Sequence, residues 1–143
     1  MKLFIFSFIA FIFISIKSYS ENMIPLKNYL KNNKNLKDTN RTIYILKRCV
    51  SLHYFLTNNE FKKKDNNIVI RYGKDYSFFS VKLYSILNLK NYDIKKFNNE
   101  INNEILKLSN KYTKDAQINL LKTGSNFQKS YIIEDLKVCS KIQ

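Results

Sequence analysis

The chain is 143 residues long and carries 25 basic against 11 acidic side chains, a formal net charge of +14, with two glycines, one proline, two cysteines and one histidine. That length is one domain's worth. The glycine count leaves no room for glycine-rich phosphate loops, the absence of a C-x-x-C-H run excludes covalent haem attachment, and one histidine with two cysteines falls short of a four-ligand structural zinc site.

Residues 1–20 read as a signal peptide. Met1 and Lys2 form a short basic start, Leu3 to Ile16 is apolar apart from two serines, and Ser18-Tyr19-Ser20 places small residues where a signal peptidase needs them. Cleavage is expected after Ser20. The apolar run is 14 residues, short of the roughly 20 that cross a bilayer as a helix, so the segment is read as cleaved, with membrane attachment only if the cut fails. No cysteine lies near the cut, which argues against a lipid-anchored form.

The chain from Glu21 to Gln143 keeps a charge of +12 once Lys2 and Lys17 are removed. A surplus of that size draws a protein to an anionic surface or an acidic partner. It also has a compositional reading: the basic residues are lysines apart from Arg41, Arg48 and Arg71, and they are spread along the chain with many asparagines instead of forming one block.

Residues 21–38 are polar and read as an arm with a short helical turn or two beginning at Pro25, where a proline is tolerated. A central helix is expected over about 40–57, opened by the Asp38-Thr39-Asn40 cluster and carrying Ile45, Cys49, Leu52 and Leu56 on one face. The run Lys62-Lys63-Lys64-Asp65 then reads as a solvated loop. Over about 67–89 Ile68-Val69-Ile70 looks locally like a strand, but Val69, Tyr72, Tyr76, Phe79, Leu83 and Ile86 step by three and four, which predicts a helix despite Gly73.

The next helix, about 93–122, is capped by Asp93 and has Ile94, Phe97, Ile101, Ile105, Leu108 and Tyr112 on one face, continued by Ala116 and Leu120. Gly124 stands where a left-handed C-terminal residue is favoured. Ser125 with Gln128 three residues on matches a capping box, so the last helix is expected over about 126–142, with Phe127, Tyr131, Ile132, Leu136, Cys139 and Ile142 inward.

Cys49 and Cys139 thus fall on two core-facing stripes of a chain that reads as exported, and an interhelical disulfide between them is expected. The fold class that follows is all-α: a small bundle of about four helices with a single interhelical disulfide.

No catalytic residue, metal site or cofactor is predicted. Cys49 and His53, four apart, share a helix side and with Cys139 suggest a three-ligand metal site or a nucleophile and base, but a bonded sulfur serves neither purpose. Glu100 and Glu104 read as a solvated pair, and Asn40-Arg41-Thr42 matches a glycosylation sequon that an asparagine-rich chain produces by chance. The candidate binding residues are Arg41, Arg48, His53 and Arg71. In a lysine-rich chain the three arginines are where a planar fork is wanted for a carboxylate or phosphate; for Arg48 the plainer reading is a surface side chain pairing with an acid such as Glu134.

The functional expectation is an exported, non-enzymatic binding or accessory protein, periplasmic or extracellular, whose basic surface meets an anionic surface or acidic protein partner. No specific nucleic-acid motif is present. Two other expectations are a small ligand- or metal-binding protein or enzyme with a pocket at Arg48 and His53, and a structural subunit of a homo-oligomer.

Overall fold

The computed structural model describes residues 23–32, 38–58, 66–89, 94–128 and 130–143. The predicted signal peptide, the Lys62–Asp65 loop and the Asp93 cap lie outside the described residues. The described residues form five helices and no strands, joined by a disulfide between Cys49 and Cys139, so the all-helical, disulfide-bridged class is what the chain adopts.

The arm contains a short helix, α1 (Leu26–Asn32). Pro25 sits just before it: its carbonyl accepts from the amides of Asn28 and Tyr29, and its missing N–H is no loss at a helix start. Leu26 is completely buried and Met23 nearly so, which seats this end of the chain on the core.

The central helix is α2 (Thr39–Asn58). Asp38 opens it, with one carboxylate oxygen accepting from the Asn40 amide at 2.9 Å. The buried side is wider than the single stripe predicted: Ile43, Leu46, Cys49, Val50, Leu52, Phe55 and Leu56 are all buried, whereas Ile45 is only half-buried. The reason is position in the bundle. Helices α3 (Asn66–Leu89), α4 (Ile94–Thr123) and α5 (Tyr131–Cys139) all pack on α2, so little of its circumference is left for water.

Helix α3 runs unbroken through Ile68-Val69-Ile70 and Gly73, settling the local ambiguity in favour of the three-and-four spacing. Phe79, Leu83 and Leu87 are buried against α2, while Ile70 is largely exposed. Helix α4 buries Ile101, Ile105, Tyr112 and Ala116; its apolar face ends there, since Leu120 and Leu121 are both exposed. Gly124 follows with φ of 73°, donating to the Leu120 carbonyl at 2.9 Å, the left-handed close its position predicts.

The last helix is shorter than expected and starts later. Ser125 does accept from the amides of Phe127 and Gln128, but the chain makes only a turn there. The helix begins after Ser130, whose hydroxyl accepts from the Ile132 amide at 3.0 Å and donates to Asp115 on α4 at 2.5 Å. Tyr131 adds a hydroxyl bond to the Lys111 carbonyl. A tie to α4 decides which serine opens α5, and local capping chemistry alone does not.

Candidate functional site

Arg48 is the largest fully buried side chain among the described residues, and its guanidinium meets Asp135 of α5 with neither side chain exposed. Its Nη2 donates to Asp135 Oδ2, its Nε to the Tyr112 hydroxyl at 3.0 Å, and its Nη1 to the Tyr44 hydroxyl and the Ile24 carbonyl at 3.0 and 3.1 Å. Asp135 also accepts from the Tyr112 hydroxyl and the Leu26 amide, each at 2.6 Å. The Tyr112 and Tyr44 rings flank the cation at 5.5 and 5.9 Å. The pairing acid is therefore Asp135 and not Glu134, and the arginine lies in the core and not on the surface.

The electrostatics of this cluster follow from its closure. Burial works against the charge on Arg48, but the surrounding Tyr112 and Asp135 more than restore it and hold the guanidinium above its ordinary value. Burial, reinforced by Asp135, pushes the Tyr112 hydroxyl well up. For Asp135 burial also wins, raising the carboxyl despite the opposing pull of Arg48, Tyr112 and the Leu26 amide. Each nitrogen of the guanidinium donates within the chain, and the cluster works as an internal clasp.

Arg41, seven residues earlier on α2, is also buried and donates to the Leu30 carbonyl at 3.2 Å. The two arginines thus do share a side of α2, as their spacing implies, and what they hold together is the chain on either side of α1's start.

His53 occupies a different environment. Its side chain is 3 % exposed, stacked on Phe79 at 5.3 Å, with Tyr72 tilted beside it at 5.6 Å. Neither ring nitrogen has a hydrogen-bond partner among the described residues; the nearest acid, Asp75 of α3, stands 3.8 Å from Nδ1. Burial pushes the imidazole down to about 4, with Asp75 only partly opposing it, so it is neutral at pH 7.

A cleft of about 260 Å³ opens beside this ring, between α3 and α5, and Arg71, Tyr72, Asp75, Lys137 and Gln143 line it with His53. Gln143 donates to Asp75 Oδ1 at 2.6 Å. The structure therefore brings His53 and Arg71 together at this cleft, which Arg48, turned towards Asp135, does not line.

Asp135, Asp75 and Lys137 were not singled out from sequence, and Tyr112 was placed only on the apolar face of its helix. Two signals for them were present: Asp135 lies four before Cys139 on the buried side of α5, and Asp75 lies four after Arg71 on α3. Both sulfurs are consumed in the disulfide, and no three His, Cys, Asp or Glu side chains among the described residues gather as a metal site. No helix among the described residues is long and apolar enough to cross a membrane. Comparison with protein-family models, curated proteins and solved structures finds no match.

Proposed function

We propose that this is an exported, non-enzymatic binding protein whose lysine-rich exterior engages an anionic surface. One observation carries the reading: among the described residues, all the acids but Glu100 are occupied internally while most lysines are not. Asp38, Asp75, Glu104, Asp115, Glu134 and Asp135 each accept a hydrogen bond from within the chain. Among the lysines, Lys47 pairs with Glu104, Lys137 with Glu134, and Lys82 reaches the Ile142 carbonyl. Lys27, Lys31, Lys107, Lys114, Lys122 and Lys141 have no ion pair among the described residues. These six lysines are exposed and unpaired, the arrangement that attracts polyanions.

The test is co-sedimentation with vesicles of phosphatidylglycerol and of phosphatidylcholine, at low salt and at about 1 M, where the screening length falls to about 3 Å. Binding to the anionic vesicles that disappears at high salt supports the reading. Equal binding to both vesicles, or binding indifferent to salt, sinks it. Export is tested separately by the mass of the protein recovered from its native cells, which should begin at Glu21.

A second reading, self-association, is favoured by the end of α4, where Ile118 and Leu121, three apart, are 48 % and 87 % exposed. Sedimentation decides it: a strict monomer at high concentration removes it.

A further inference from the structure

The cleft between α3 and α5 holds both signs of charge in a small volume. Arg71 and Lys137 contribute cations and Asp75 a carboxylate, over the buried ring of His53. Buried polar atoms in native proteins nearly always have partners. The two nitrogens of His53 have none among the described residues and are closed to solvent, so the neutral ring forms the floor of the cleft directly beneath Asp75 and reports on what sits above it.

The charges select the kind of molecule. A simple anion attracted by Arg71 and Lys137 would meet the carboxylate of Asp75, and a simple cation attracted by Asp75 would meet the two basic groups. A molecule bearing both charges a few ångströms apart meets neither conflict. The Gln143 amide fixes Asp75 Oδ1, leaving Oδ2 on the His53 side, 3.8 Å from Nδ1. Arg71 supplies a planar fork suited to two carboxylate oxygens. Lys137 shares only a 3.4 Å contact with Glu134, both side chains being well exposed, so it is easily drawn away. The volume of about 260 Å³ lies below the roughly 300 Å³ at which pockets for drug-sized ligands begin, which suits something small.

From these observations we infer that the cleft binds a small zwitterion of the α-amino-acid type, its carboxylate held by Arg71 and Lys137 and its ammonium by Asp75 above the His53 ring. This site is separate from the outer lysines and stands whether or not they engage an anionic surface.

His53 is the chain's only histidine, so its imidazole signals in a proton NMR spectrum report on the cleft without ambiguity. The disulfide-bonded protein is titrated at low salt with the common α-amino acids one at a time, and the best of them is repeated as its N-acetyl and its carboxamide derivatives. A saturable shift of the His53 signals is expected for at least one amino acid, weakened about tenfold or more in both derivatives. Arg71→Gln and Asp75→Asn should each weaken it similarly with helix content unchanged, while Lys114→Gln, on α4, leaves it alone. No saturable shift with any amino acid overturns the inference. So does full retention of binding by the N-acetyl derivative, which describes an anion site, or by the carboxamide, which describes a cation site.

Discussion

Arg48 and Asp135, 87 residues apart in the chain, face each other as an ion pair with no solvent exposure on either side. Four groups complete the donors and acceptors around them: the hydroxyls of Tyr112 and Tyr44, the Ile24 carbonyl and the Leu26 amide. Such a pair is a weak source of net stability but a large liability when halved, because the surviving charge is stranded away from water.

Asp135→Ala should accordingly lose about 3 to 5 kcal/mol in urea unfolding, as should Arg48→Ala. The double change Arg48→Met with Asp135→Leu should lose clearly less than the two single losses combined, since it strands no charge. A loss under about 1 kcal/mol for Asp135→Ala would show that the carboxylate is not bearing the guanidinium's charge.

The disulfide closes a separation of 90 residues, for which loop-closure entropy gives about 4.5 kcal/mol of stabilisation. Replacing both cysteines with alanine, or unfolding in the presence of a reductant, should lower stability by about that amount. A change of a few tenths would mean that the reduced unfolded chain is already held compact.

His53 gives a pH dependence with a definite sign. Its ordinary value of 6.5 falls to about 4 on folding, so the unfolded chain takes up the proton more readily than the native one. The stabilisation is fully present above about pH 6.5 and is lost as the pH falls from there to about 4, up to about 3 kcal/mol in all. Wild-type protein should therefore lose urea stability over that window more steeply than His53→Phe, which carries no proton to gain. Parallel curves would count against a neutral buried imidazole.

Two glycines should respond in opposite directions. A methyl group added at Gly73 has nothing within 4 Å to strike, and the residue lies inside α3, so Gly73→Ala should gain about 0.5 to 1 kcal/mol. Gly124 is equally uncrowded but has φ of +73°. Gly124→Ala should cost about 1 kcal/mol through backbone strain alone. Thermal melts of the two variants, moving apart from the wild type, check both.

The three long helices and the left-handed close at Gly124 were legible because each rests on a pattern within one stretch of chain, and the disulfide because its two cysteines fall on two such patterns. Steps of three and four located Phe79 and Leu83, and the matching stripes of Cys49 and Cys139 implied the bridge. The start of α5 was not legible, because Ser125 and Ser130 offer the same hydroxyl chemistry and only the second reaches Asp115. Arg48 was misplaced for a related reason. A charge belongs at the surface unless a partner is buried with it, and that partner lies in the last helix, one residue along from Glu134, which faces water. The cleft at His53 needed α3 and α5 placed on α2 before its lining residues, drawn from three parts of the chain, belonged together.

The clasp around Arg48 also ties together the two ends of the described chain. Asp135 on α5 holds the Leu26 amide at the start of α1, 109 residues away, while Arg48 on α2 holds both Asp135 and the Ile24 carbonyl. Contacts that far apart in sequence carry a large loop-closure cost. The Cys49–Cys139 bond spans 90 residues between the same two helices, α2 and α5, so the covalent link lowers the entropy that the clasp must overcome.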